Sequence, residues 1–242
     1  MAEERAMTLD KARELVADAE IWPRVRDFLW DFAPQIHESW LEGICGRESE
    51  TADAKRETAA SLVSSLSSSP RIKRYILSTL GVEPFFHDFP KDDWSRLALL
   101  DGSVLLEIGK WLGALVCAGE LRRVTDGATV RELKAALPGV YPDVFGFTAY
   151  FTGLDGDGSV SRSGAESQSV SDRVVSTGIG ILYSVLSGLP AALVSRFKLK
   201  LPSSLVSRLH ESGRETRDAR HAAAVKKLLK LKFPEAYRLC CS

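Results

Sequence analysis

The chain has 242 residues, 45% of them hydrophobic and 26% charged, which supplies enough apolar material for a core and excludes disorder as its main state. Its 18 glycines and 10 prolines exclude a collagen-like or low-complexity chain. Lys and Arg together number 32, as do Asp and Glu, so the net charge is zero and composition points to no nucleic-acid partner.

In chain order, the opening residues carry Glu3, Glu4 and Asp10 and no apolar run, which predicts no secretory signal. Helical patterning follows over 9–19, 24–32 and 34–43. This front part gathers Trp22, Phe28, Trp30, Phe32 and Trp40, with Phe85, Phe86 and Phe89 further on. Helical spacing sends most of these rings to a core. Trp22 and Trp40, however, flank Pro23 and Pro34, and tryptophan is enriched where proteins grip one another. Trp22, Trp30 and Trp40 are therefore candidate protein-contacting residues.

Gly46–Ser49 reads as a charged loop and 52–66 as a helix. Ser69 and Pro70 open a helix over 70–80, and Gly81 stops it. Over 92–100, Asp92 is placed to cap a helix that begins near Trp94. Ser103–Ala118 is the strongest helix. Val104, Leu105, Ile108, Trp111, Leu112, Leu115 and Val116 make one wide apolar stripe, while Gly109, Gly113 and Cys117 make a flat strip where another backbone can approach. Thr129 and Glu132 have capping-box spacing at the head of 130–137, which Pro138-Gly139 ends. Another helix is expected over 142–151.

Residues 153–169 form a Gly/Ser/Asp-rich linker. Inside it, Asp155, Asp157, Ser159 and Glu166 have the spacing of a calcium loop. Val160 stands where such a loop needs glycine, and Arg162 where it needs an apolar residue, so no calcium site is expected. Helices are expected over 171–187, 191–200, 203–211 and 216–231. No charge occurs between Arg173 and Arg196, but Ser187-Gly188-Leu189-Pro190 splits this run, which favours two buried helices over a membrane span. No segment shows sustained period-two alternation. The expected fold is an all-α, irregular multi-helix globular bundle. It has an N-terminal body over 1–152, the linker over 153–169, and a C-terminal helical part over 170–242 packed on the body as one globule.

The charge is unevenly spread. Arg196 to Arg238 holds twelve basic and four acidic residues, a surplus of eight that leaves a deficit of eight on the remainder. Along the last long helix, Ala222, Val225, Leu228 and Leu229 make one face and Lys226, Lys227 and Lys230 the opposite one. Membrane surface, acidic protein partner and plain solvation all remain open for this basic face.

Little else in the sequence suggests chemistry. Cys45, Cys117, Cys240 and Cys241 lack framework spacing, which fits reduced thiols in a cytoplasmic protein. His37, His87, His210 and His221 stand apart from each other and from any cysteine at zinc-ligand spacing. Gly178-Ile-Gly180 lacks the third glycine and the lysine of a phosphate loop. No catalytic, cofactor-binding or metal-binding residue is assigned. A helical enzyme with polar groups around His87, Asp88, Asp92 and Asp93, and a membrane-associated protein anchored by 174–195, are the rival classes.

Three blocks carry a family likeness: Phe28–Leu41 (FLWDFAPQIHESWL), Arg96–Phe147 with its Leu-rich helix and ELRRV turn, and Leu228–Cys240 (LLKLKFPEAYRLC). Together they resemble the SctK family, the Yop translocation protein K family of bacterial type III secretion systems. The resemblance implies a non-enzymatic cytoplasmic accessory protein of the injectisome's sorting platform, without cofactor or metal. It would link the cytoplasmic domain of the inner-membrane ring protein to the SctQ-type pod protein, and so to the export ATPase complex. Such a protein reaches the cytoplasmic face of the inner membrane through its partners. The expected docking patches are the front segment, with Trp22, Trp30 and Trp40, and the basic C-terminal helix, with Lys226, Lys227, Lys230 and Lys232.

Overall fold

A computed structural model describes residues 21–45, 69–83, 89–90, 92–151, 169–211 and 218–241. The helices expected at 9–19 and 52–66, the Gly46–Ser49 loop, His87, Asp88 and the 153–169 linker up to its last residue lie outside the described residues. Among those described the chain is all-α, with no strand. The helices are α1 Trp22–Trp30, α2 Glu38–Cys45, α3 Pro70–Thr79, α4 Gly102–Val116, α5 Ala118–Leu121 and α6 Gly127–Ala136. They continue as α7 Val144–Phe147, α8 Val170–Leu186, α9 Ala191–Leu199, α10 Ser203–Glu211, α11 Ala219–Lys232 and α12 Pro234–Cys241. A 3-10 helix spans Asp93–Leu99. No described helix is long and apolar enough to cross a membrane.

The described residues fall into two compact units. One comprises those up to Asp101 together with Leu189–Ser203, the other those of Gly102–Gly188 and from Ser204 onward. The expected linker thus lies within the sequence span of the second unit, and the chain passes between units in the Ser187–Pro190 turn, where Gly188 has φ +89°.

In the first unit, α3 ends where sequence placed its stop. Gly81 takes φ +68°, its N–H bonds to Ser78 O, and the Val82 N–H bonds to Leu77 O, the paired bonds of a Schellman ending. The core gathers Val25, Phe28 and Phe32 from the front, Ile76 and Leu77 from α3, and Leu193 and Phe197 from α9. Asp92 caps the 3-10 helix as its position suggests, accepting from Trp94 N at 2.8 Å.

The second unit is organised by α4 against α8. Gly178 faces Gly109 so closely that a Cβ on Gly178 would lie 1.7 Å from the Gly109 carbonyl oxygen. A Cβ on Gly113 would lie 1.8 Å from Val174 O. Glycines four apart on α4 therefore let two backbones touch, as their spacing suggested. Helix α6 begins earlier than expected. Asp126, rather than Thr129, is its N-cap, accepting from Thr129 N and from Thr129 Oγ1, each at 2.8 Å. A carboxylate at the positive end of a helix outcompetes a hydroxyl for this place. Glu132, freed from the expected capping box, accepts from Ser171 Oγ of α8 at 2.9 Å.

Candidate docking surfaces

In the first unit, α1 and α3 run into a shallow groove of about 120 Å³ lined by Leu29, Trp30, Phe32 and Ala33 on one side and Pro70, Lys73, Arg74 and Leu77 on the other. Local sequence explains its walls. Prolines in the first turns of α1 and α3 accept the fixed φ that a helix start needs. The apolar stripes of these helices go inward as Val25, Phe28, Leu29, Ile76 and Leu77. That leaves Trp30 at the carbonyl end of α1, 52% exposed, with its ring edge-on to Trp22 at 5.7 Å. Lys73 bonds across to Asp31 and ties the two walls together. Tyr75, on the same α3 helix, is 67% exposed.

The base of this surface is held by a buried cation. Arg196 of α9 donates Nη1 to Phe28 O and, at 2.9 Å, to Leu29 O, and Nη2 to Glu83 O at 3.2 Å. Its guanidinium also lies 5.7 Å from the Phe28 ring centre and 5.6 Å from that of Phe32. The last carbonyls of a helix lack intrahelical donors and carry partial negative charge, so they can receive a cation. Burial lowers the Arg196 pKa to about 10, with Glu83 opposing the shift, and the side chain stays charged at neutral pH. Lys200, one turn on, is also buried. It donates to Ala98 O at 2.7 Å and Leu100 O at 2.9 Å, with the Phe28 ring 5.1 Å away. Burial pushes its ammonium down to about 7, Asp101 pulling it up and Arg24 adding to the fall.

Of the three tryptophans singled out from sequence, Trp30 and Trp22 share this surface. Trp40 is used internally, and its indole Nε1 donates to Leu201 O at 2.8 Å. Neighbouring bonds from His37 N to Leu199 O and from Ser203 N to Ser39 Oγ join the same two stretches, at 2.8 and 2.9 Å. The half-buried ring of Trp40 is packing with a satisfied N–H.

The basic face lies on the second unit. Lys226 and Lys230 of α11 are exposed, beside Leu231, which is 46% exposed. Lys227 is exposed too, but donates to Tyr150 O with its Nζ 5.6 Å from the Phe151 ring centre. Lys232 differs from the rest: its Nζ lies 4.4 Å from the Trp111 ring centre and 4.2 Å from that of Phe147, rings that meet edge-on at 5.5 Å. It is half-buried, and its charge holds α11 against α4 and α7. The outward-facing part of the patch is thus Lys226, Lys230 and Leu231.

One trio has the residue types of a hydrolase. Ser184 Oγ lies 2.7 Å from His221 Nδ1, and His221 Nε2 lies 4.0 Å from Asp218 Oδ2. The geometry serves structure instead. Ser184 is 1% exposed, and its hydroxyl is engaged by its own helix, donating to Ile181 O at 2.8 Å. Asp218 is occupied as the N-cap of α11, accepting from Arg220 N at 2.8 Å. Among the described residues no group of three His, Cys, Asp or Glu side chains could hold a metal ion.

Sequence reasoning missed Arg196 and Lys200 by counting them with the basic tail. The usable signal was their register: both fall with Leu193 and Phe197 on the inward side of a short helix, where a cation needs a buried partner.

No protein-family model, curated protein or solved structure matches this chain.

Proposed function

We propose that this protein is a non-enzymatic adaptor of a bacterial type III secretion sorting platform. In this reading it holds the cytoplasmic domain of the inner-membrane ring protein and a SctQ-type pod protein, so joining the ring to the export ATPase complex from the cytoplasmic side. The residue blocks Phe28–Leu41, Arg96–Phe147 and Leu228–Cys240 support the family resemblance. The observation that carries the adaptor reading is the pair of dissimilar exposed surfaces, each on its own compact unit: an aromatic groove around Trp30, and a cationic helix face at Lys226 and Lys230. An adaptor needs two such surfaces and no reacting groups, and scaffolding is argued from surfaces rather than from fold.

The test is genetic. Deleting the gene in its source bacterium should abolish type III secretion and disperse a fluorescent pod protein from membrane foci into the cytoplasm, with both restored by the intact gene. Foci and secretion that persist after deletion would refute the proposal.

A further inference from the structure

Helix α11 turns an outer arc of one charge to solvent. Arg220, Lys226, Lys227 and Lys230 are exposed, and the helix, ARHAAAVKKLLKLK, contains no carboxylate. The nearest carboxylates along the chain are Asp218, occupied as the N-cap, and Glu235 in α12. Lys227 is drawn aside to Tyr150 O. Lys226 and Lys230 are different: among the described residues neither ammonium has a hydrogen-bond or ion-pair partner. They lie four residues apart, about 6 Å along one edge of the helix.

Beside that edge, Ala219, Ala223, Lys227 and Leu231 recur every four residues, all of them exposed. The two alanines keep this row low, and Leu231 stands at its end. Tyr150, 57% exposed, borders the row where Lys227 bonds to it. The opposite side of α11, with Val225, Leu228 and Leu229, is wholly buried. An interfacial helix inserts its apolar side into lipid, and α11 has already spent that side on the core. A low row beside a cationic edge instead suits the packing of a second helix.

We propose that this face binds an acidic amphipathic helix of a partner protein. The partner's apolar side lies along Ala219, Ala223 and Leu231, and its carboxylates, three or four residues apart, meet Lys226 and Lys230. The proposal rests on the adaptor reading in treating this face as a docking surface, and adds the chemistry of the partner. The apolar contact supplies affinity, while the charges select the partner, fix its register and speed its arrival. Because the cations are exposed, binding weakens as salt rises.

A phage-displayed library of helical peptides, panned on the full-length protein and counter-selected on the Lys226→Glu, Lys230→Glu variant, tests this directly. The expected selectants carry Asp or Glu three or four residues apart, with apolar residues on the adjoining side. Synthetic copies should bind about fivefold or more weakly to Leu231→Ser. Copies whose acids are changed to lysine should lose the natural protein and gain the Lys226→Glu, Lys230→Glu variant. All three positions are exposed, so circular dichroism should not change. No enrichment, a consensus without spaced acids, indifference to Leu231→Ser, or failure of the charge exchange would overturn the proposal. So would binding through the same lysines to vesicles of equal parts phosphatidylcholine and phosphatidylglycerol that the selected peptides do not displace, since lipid would then be the occupant. A dimer that the double variant dissolves would overturn it too, because a second copy would then cover the face. Panning reads this face alone, so its failure leaves secretion and pod-protein localisation to judge the adaptor reading separately.

Discussion

Arg196 and Lys200 stand one helical turn apart and close the carbonyl ends of two different helices. Arg196 donates to Phe28 O and Leu29 O at the end of α1, and Lys200 to Ala98 O and Leu100 O at the end of the 3-10 helix. Helix α9 thus fixes α1 and the Asp93–Leu99 turn through backbone oxygens, with Phe28 beneath both cations. The residue after Leu29 is Trp30, so the position of the docking groove is inherited from this clasp.

Removing the clasp has a direct cost. Arg196→Met keeps much of the apolar stem and leaves the carbonyls of Phe28, Leu29 and Glu83 without its N–H donors. The expected loss is about 3 kcal/mol, read from urea unfolding, with Arg196→Lys recovering part of it.

The Lys200 ammonium gives stability a pH dependence. Its pKa in the folded chain is about 7, below its ordinary 10.5, so between these values the unfolded chain binds more protons. Stability therefore rises with pH above 7, by up to roughly 1.4 kcal/mol per pH unit. Cys117 opposes this at higher pH: burial, with Glu120, raises its thiol from 9.0 to about 11, so its contribution is present below pH 9 and is lost as pH climbs towards 11. Urea midpoints measured from pH 7 to 9 should increase in the natural protein, and Lys200→Met should flatten that rise.

The glycine contact between α4 and α8 predicts a sharp contrast. Gly178→Ala and Gly113→Ala put a methyl group far inside van der Waals contact with a backbone oxygen on the opposite helix, and each should cost about 3 kcal/mol or more. Gly146→Ala in α7 meets nothing within 4 Å, and should be neutral or stabilising by up to about 1 kcal/mol. Thermal unfolding of the three variants checks both halves.

The lysines of α11 should separate by role. Lys232→Glu removes a cation from between Trp111 and Phe147 and is expected to destabilise the fold by about 2 kcal/mol. Lys226→Glu with Lys230→Glu changes only exposed charge, so the midpoint should move by less than about 0.5 kcal/mol while binding of one partner falls.

What could be read from sequence was local. The Gly81 stop, the Asp92 cap and the small-residue strip at Gly109 and Gly113 rest on short-range spacing, and each holds in the structure. The Asp126 cap was missed because Thr129 and Glu132 already satisfied a familiar spacing three residues further on. Contacts between residues far apart along the chain were not legible either. Trp40 meets Leu201, and Arg196 meets Phe28, across more than 150 residues in each case. No window of sequence contains both members of such a pair. In the candidate site, Trp30 was named with Trp22 and Trp40 from aromatic clustering alone, and the wall from α3 was not legible, since nothing local says that Pro70–Leu77 lies against Leu29–Ala33.

The adaptor account is tested most directly by mixing the full-length protein with a SctQ-type pod protein and the ring protein's cytoplasmic domain, then measuring mass by size-exclusion chromatography with light scattering. The account predicts one species that contains all three, with Trp30→Ala shedding one partner and the Lys226→Glu, Lys230→Glu variant shedding the other. Elution of this protein apart from both, or loss of both partners through a single one of these surfaces, would contradict it.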